Sequence, residues 1–112
     1  MTTIAGNPGL VTAINVFTVD PSNQQELVAL LAHATETSVR DMPGFVSATL
    51  HRGVDGSKVT MVAQWRSAEH YQRYLALRSD SGAAWVARVL AIARFDPGTY
   101  EVVQVFAGRD PA

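Results

Sequence analysis

Apolar and polar residues alternate along four stretches of this chain, and between them the apolar positions recur at the wider spacing of a helix. From Leu10 to Val19 the sequence L-V-T-A-I-N-V-F-T-V is rich in β-branched residues and reads as a strand. Side chains alternate with a period of two, so one face holds Val11, Ala13, Asn15, Phe17 and Val19. The other holds Leu10, Thr12, Ile14, Val16 and Thr18. Asn15 is the polar member of an otherwise apolar row. The following D-P-S-N-Q-Q-E-L offers two overlapping helix starts. Asp20 caps with Pro21 at the first helical position, or Ser22 forms a capping box with Gln25. Leu27, Leu30, Leu31 and Ala34 then recur at helical spacing, which predicts a helix to about Asp41, stopped by Pro43-Gly44.

Phe45 to Arg52 reads as a second strand that alternates less cleanly. Asp55-Gly56 predicts a hairpin turn in which both central residues take positive φ. A third strand over Val59–Arg66 puts Val59, Met61, Ala63 and Trp65 on one face, with Thr60, Val62, Gln64 and Arg66 on the other. Ser67 is the N-cap of the next helix, and Glu69 suits the positive end of its dipole. Tyr71, Tyr74, Leu75 and Arg78 lie along one side of that helix. Helical character weakens at Ser79 to Gly82. It resumes through Ala84, Trp85, Ala87, Arg88, Val89 and Ala91, as a short separate helix or a broken continuation. Asp96-Pro97-Gly98 reads as a turn, Tyr100 to Ala107 as the last strand, and G-R-D-P-A as a frayed tail.

The order β-α-β-β-α-β is the split βαβ arrangement of ferredoxin-like α+β domains, here one domain over residues 1–112 with its core from about 10 to 107. In that arrangement the first and third strands are central neighbours and both helices cover one face. Ile14, Val16 and Val62 then lie on the uncovered face, which is the expected seat of a two-fold homodimer.

Composition narrows the function without naming it. The chain has 112 residues, 47% hydrophobic and 17% charged, and a net charge of −1, with no basic run or basic helix face to attract nucleic acid or an anionic membrane. It has no cysteine, which removes disulfides, thiolate metal sites and cysteine nucleophiles. The opening M-T-T-I-A-G-N-P lacks the basic start and apolar core of a signal peptide, and no apolar run reaches the ~20 residues of a membrane span, so a cytoplasmic protein is expected. His33, His51 and His70 fall on different elements with no metal-ligand spacing, and no metal site is expected. What stands out is a large indole closing a strand and a phenol one turn into the next helix. Trp65 and Tyr71 either frame a pocket or fill a core.

The βαββαβ order, the helix stop D-M-P-G-F, the D-G hairpin and the run A-Q-W-R-S-A-E-H-Y together resemble the antibiotic biosynthesis monooxygenase family, from about Leu10 to Ala107. Its members are dimeric α+β barrels, and the resemblance is greatest to small quinone-forming monooxygenases of aromatic polyketide pathways. It implies a pocket between sheet and helices in which oxygen enters an electron-rich phenolic ring without flavin, haem or metal. No cofactor is therefore expected, and the expected partners are a small aromatic substrate, molecular oxygen and a second copy of the chain. The family tryptophan falls on Trp65 and its helix tyrosine on Tyr71. The family's strand asparagine falls on Met61, which has no hydrogen-bond donor. Its later arginine falls nearest Arg88, or on Trp85 at the more literal alignment. A second branch of the superfamily degrades haem. There the strand-one asparagine matches Asn15, but the helix tryptophan falls on Tyr74 and the iron-ligating histidine near Ala84, leaving iron without an axial ligand.

These positions define an expected site. Trp65 stacks on a flat substrate, Tyr71 donates a proton to a peroxide, and Asn15 supplies the hydrogen bond that Met61 lacks. Met61, Tyr74, Trp85 and Arg88 line the substrate. Plainer roles stand beside these: an indole that fills the core, an amide bound to water, and tyrosines that pack. Two alternatives on the same scaffold are a non-catalytic binder of an aromatic metabolite and a polyketide cyclase.

Overall fold

A computed structural model describes residues 9–81 and 83–110. The leader at residues 1–8 and the end of the tail at 111–112 lie outside the described residues. The elements run β1 (Val11–Val19), a 3-10 turn (Pro21–Asn23), α1 (Gln24–Thr37), a second 3-10 turn (Val39–Asp41), β2 (Phe45–Arg52), β3 (Lys58–Trp65), α2 (Ala68–Ser81), α3 (Ala84–Ile92) and β4 (Ala93–Tyr100). The strands form one antiparallel sheet in the order β2-β3-β1-β4, so the expected α+β, ferredoxin-like architecture is the one observed.

Register decides which residues share the covered face. Ala13 pairs with Ala63, Asn15 with Met61, Phe17 with Val59 and Val11 with Trp65, so the two apolar rows of β1 and β3 lie side by side. Leu27 and Val59 are fully enclosed where α1 packs on this face, in a cluster with Phe17, Val19, Leu30, Leu31 and Val89. A second cluster forms around Trp65, Tyr71 and Tyr74 with Ala13 and Ala63. On the opposite face Ile14, Val16 and Val62 remain partly exposed. Near one end of this face Gln64 Nε2 donates to Thr12 Oγ1 at 3.2 Å.

The uneven alternation of β2 has a local cause. A bulge between Phe45 and Ser47 inserts Val46, so Phe45 opposes Trp65 while Ser47 opposes Gln64. Phe45 and Ala48, three residues apart, thereby reach the same face. The β2–β3 connection also differs from the expected two-residue turn. Only Gly56 has positive φ (87°), and the loop is closed by the Asp55 carboxylate accepting from Ser57 N and by Gly53 N donating to Lys58 O. Gln24 ties this loop to α1, its amide donating to the carbonyls of Gly53 and Lys58. At the start of that helix Asp20 caps the 3-10 turn through Ser22 N, whereas α1 begins without a side-chain cap and stops at Thr37 rather than Asp41.

The largest correction concerns β4. Asp96-Pro97-Gly98, expected to be a turn, lies inside the strand, and residues 101–107, expected to belong to the last strand, have no regular secondary structure. Pro97 is tolerated because β4 is an edge strand, where a missing N–H leaves no ladder bond broken on the outer side. Gly98 has its own reason to be glycine. A Cβ there would meet the Tyr100 ring at 2.6 Å, so the residue makes room for a phenol rather than for a reversal.

The turn into β2 rests on Gly44. Its φ is 85°, its carbonyl accepts from Arg66 N at 2.7 Å, and an added Cβ would fall within the His70 imidazole. Ser67 in turn holds His70, its hydroxyl accepting from His70 N at 3.2 Å as the N-cap of α2. Gly44→Ala combines left-handed strain with a clash and is expected to cost about 2–4 kcal/mol, read as a lower midpoint of chemical denaturation. An unchanged midpoint would show that this latch is not structural.

Candidate active site

Between the covered sheet face and the three α-helices lies a cavity of about 210 Å³. Its floor is unusual for a sheet. Ala48, Ala63 and Ala13 sit opposite one another across β2, β3 and β1. Three methyl groups in register leave a flat shelf roughly 10 Å wide, given the spacing of neighbouring strands. Larger side chains stand at its ends: Phe45 and Trp65 on one side, Phe17 and Phe95 on the other. Phe17 and Phe95 stack with centroids 5.1 Å apart. Two lining residues, Leu90 of α3 and Phe95 of β4, are 54% and 36% exposed.

Trp65 closes β3 and is only 1% exposed. Its indole meets Phe45 edge-on at 5.4 Å, stacks on Tyr74 at 5.0 Å and lies tilted 5.5 Å from Tyr71. Both tyrosines come from α2, three residues apart and hence on one side of the helix. This packing leaves the indole Nε1 buried without a hydrogen-bond acceptor. Asn15, in the middle of β1, is directly opposite Met61, and its amide donates to the Tyr71 phenol. Its own carbonyl, Oδ1, is buried and unsatisfied. Two residues that line the cavity thus each carry a buried polar atom without a partner. Buried polar groups normally find partners, so both atoms are exceptions that call for an explanation.

Burial pushes the Tyr71 phenol above its ordinary value, against smaller opposing effects of the Arg78 charge and the Asn15 hydrogen bond. Tyr74 is raised for the same first reason, opposed by Arg78 through its charge and a hydrogen bond. Both phenols are therefore neutral at pH 7 and able to give a proton rather than take one. No histidine or carboxylate lines the cavity among the described residues, so haem iron would meet no imidazole there.

Six of the seven residues singled out in the sequence line this cavity: Asn15, Met61, Trp65, Tyr71, Tyr74 and Trp85. Arg88 does not. It is exposed on α3, whose inward side is set by Val86, Val89 and Leu90. The cation that does line the cavity is Arg78, in the last turn of α2, with its Cζ 5.5 Å from the Tyr74 ring centroid and 5.9 Å from that of Trp85. Its place one turn after Tyr74 was visible in the helical spacing, but not its entry into the cavity. The alanine shelf, too, needs the register of three strands to be seen.

With this geometry in hand, comparison with known proteins gives a consistent result. The profile of the antibiotic biosynthesis monooxygenase family matches residues 10–88. Tetracenomycin-F1 monooxygenase of Streptomyces glaucescens is 49% identical over 72 residues, which is 64% of this chain and 64% of that protein, a little under two thirds of the relative's length. Among solved structures, the monooxygenase from the gene ActVA-Orf6 of Streptomyces coelicolor, in complex with the ligand nanaomycin D, superposes with a TM-score of 0.75 at 28% identity. That superposition covers 89% of this chain and 92% of the other. SnoaB, a cofactor-independent oxygenase from Streptomyces nogalater, gives 0.73 at 25% identity over 89% of this chain and 99% of its own.

The raised phenols give a test independent of any substrate. In an alkaline titration followed by phenolate absorbance, Tyr71 and Tyr74 are expected to ionise above the ordinary phenol value of about 10, and Tyr71→Phe with Tyr74→Phe should remove that late component. The sign for stability follows from linkage: their contribution is complete below pH ~10 and is lost as pH rises through the folded-state values, because the unfolded chain releases those protons first. Ionisation of Tyr71 and Tyr74 at the ordinary phenol value would contradict the burial argument.

Proposed function

The chain belongs to the antibiotic biosynthesis monooxygenase family, and from that premise we propose that it is a cofactor-independent monooxygenase that oxidises a polycyclic phenolic substrate of the polyketide type to a quinone. The observation that carries this reading is the pair of buried, unsatisfied atoms, Trp65 Nε1 and Asn15 Oδ1, above a flat shelf of alanines. A planar ring system that presents a ketone oxygen and a phenolic hydroxyl would satisfy both, the indole donating to the carbonyl and the hydroxyl donating to the amide. In this reading the Trp65 indole supplies the donor that Met61 lacks, and Asn15, the partner of Met61 across β1 and β3, accepts from the hydroxyl.

The reaction asks little more of the protein. The phenolic substrate ionises, aided by the indole N–H on its carbonyl, and its delocalised anion passes an electron to oxygen. A carbon–oxygen bond forms, and the resulting peroxide takes a proton from the Tyr71 hydroxyl. The proton lost at the first ionisation restores the tyrosine. The peroxide O–O bond then breaks as the adjacent C–H proton leaves. One oxygen atom remains as the new carbonyl and the other departs as water, so a CH2 and O2 become a C=O and H2O. None of the lining side chains is a base at neutral pH, so the acidity of the substrate itself supplies the anion. The apolar walls keep water from quenching it.

We place the protein in the cytoplasm as a homodimer built on the sheet face that bears Ile14, Val16 and Val62, a reading supported by the partial exposure of those residues. Among the described residues no helix is long and apolar enough to cross a membrane. Met61 favours a second reading, in which the cavity binds or cyclises an aromatic metabolite without oxygen chemistry, because a thioether donates no hydrogen bond to the substrate.

Oxygen uptake with dithranol as substrate, corrected for autoxidation, separates the two. Chelator-treated protein is expected to accelerate uptake well above background, with Trp65→Phe and Asn15→Ala each lowering turnover by about 10²-fold. Saturable binding with no uptake would move the assignment to the binding or cyclase reading. Full turnover in Asn15→Ala would overturn the role given to its amide.

A further inference from the structure

Met61 is the one sulfur-bearing side chain among the described residues that line the cavity, and the oxidation chemistry gives it no part. Strand parity turns it to the covered face of the sheet, so the open space that this half-buried side chain meets is the cavity. Across the strands it pairs with Asn15, whose amide holds the Tyr71 phenol. Paired residues on neighbouring antiparallel strands have Cα atoms about 4.5–5.5 Å apart. Methionine is unbranched and flexible, which lets its sulfur follow the shape of the space beside it. The thioether is therefore within reach of the hydroxyl that gives its proton to the peroxide. The chain has no cysteine to compete for oxidation, and Met42 lies outside the lining.

The outer oxygen of a hydroperoxide is electrophilic, and a thioether takes up such an oxygen as a sulfoxide. Holding the two in one cavity raises the effective concentration of each for the other far above that of a methionine meeting free peroxide. We propose that Met61 is a turnover-dependent oxidation site, converted to its sulfoxide by the substrate's own hydroperoxide in a fraction of catalytic cycles. The inference rests on the function proposed above, which supplies the oxygen and the peroxide. The sulfur attacks the outer oxygen, an S–O bond forms as the O–O bond breaks, and the hydroperoxide proton passes to the oxygen left on carbon. Sulfur is oxidised by two electrons and the hydroperoxide is reduced to an alcohol. In such a cycle a CH2, O2 and the thioether become a CHOH and a sulfoxide, with no water released. The sulfoxide puts a polar acceptor opposite Asn15, where it competes with Tyr71 for the amide N–H and with the substrate for space. The oxidised protein is inactive, and Met61 limits the number of turnovers that each molecule completes.

Peptide mapping after turnover tests this. The protein is given dithranol and isotopically heavy oxygen gas, with catalase and superoxide dismutase present to remove the peroxide and superoxide that autoxidation releases. Trypsin cuts after Lys58 and Arg66, so Met61 and Trp65 share one peptide, and fragmentation assigns an added oxygen to one or the other. The expected result is one heavy oxygen atom on Met61, in a share of chains that grows with the oxygen consumed, while Met42 stays unoxidised. Uptake by Met61→Leu, scaled to its own initial rate, is expected to persist through more turnovers than that of the native protein. Oxygen uptake that leaves Met61 unoxidised overturns the proposal. So does oxygen found on Trp65 instead, on Met42 to an equal extent, or on Met61 only when catalase is left out. Uptake by Met61→Leu that decays as fast as in the native protein overturns the limit placed on turnover. Should that variant fail to fold by circular dichroism, the peptide map of the native protein still decides. Failure of the oxygenase reading looks different: uptake itself stays at the autoxidation background, and this inference falls with it.

Discussion

The burial of the Trp65 indole is the constraint on which the rest depends. An indole at the last position of β3 is too large for a sheet floored with alanines, so its surroundings must be built around it. Phe45 supports its edge, reaching the same face through the bulge at Val46. Tyr74 covers its plane, and Tyr71 leans on it from one turn earlier in α2. For these phenols to arrive at the right height, α2 must start immediately after the strand. The Ser67 cap and the Gly44–His70 packing secure that start. The aromatic cluster thus couples the ends of two strands to the first turns of one helix.

The same arrangement leaves the indole N–H and the Asn15 carbonyl without partners. Each unsatisfied buried group costs about 1–3 kcal/mol, a real fraction of the stability of a domain of this size. A protein selected for stability alone would replace these groups or bring an acceptor to them. Keeping both on residues that line one cavity, with a neutral phenol hydrogen-bonded to the amide, makes sense under the proposal that a ligand completes the set. The alanine shelf belongs to the same design. It forgoes the apolar burial that larger residues at positions 13, 48 and 63 would contribute, and in exchange leaves a slot of uniform height. Among the described residues Arg78 brings the only charged side chain to the cavity lining.

Much of this was legible in the chain itself. The strict alternation of β1 and β3 fixed their faces, and from the βαββαβ order came their adjacency, which puts Asn15 opposite Met61 and on the same face as Trp65. The Ser67 cap and the three-residue spacing of Tyr71 and Tyr74 gave the helix side that faces the indole. The rest failed for identifiable reasons. Asp-Pro-Gly is a strong turn signal locally, but on an edge strand proline breaks no inner ladder bond and the glycine serves a ring two residues away. The β2 bulge breaks the period of two and cannot be read without the partner strand. Arg88 was the nearest match to the family's later arginine, and it lies outside the cavity lining. Val86 turns inward, and Arg88 lies roughly 200° further round the helix. Arg78 gained its place only when α3 brought Trp85 against it.

The central claim is that Trp65 Nε1 and Asn15 Oδ1 await the carbonyl and hydroxyl of a flat phenolic ketone. A crystal structure of the protein with a 1,8-dihydroxyanthraquinone tests it most directly. The account predicts the ring plane lying over Ala13, Ala48 and Ala63, with its ketone oxygen and a hydroxyl within hydrogen-bond distance of the indole nitrogen and the amide oxygen respectively. A quinone seated elsewhere, or one in the cavity that leaves both atoms unpartnered, would contradict it.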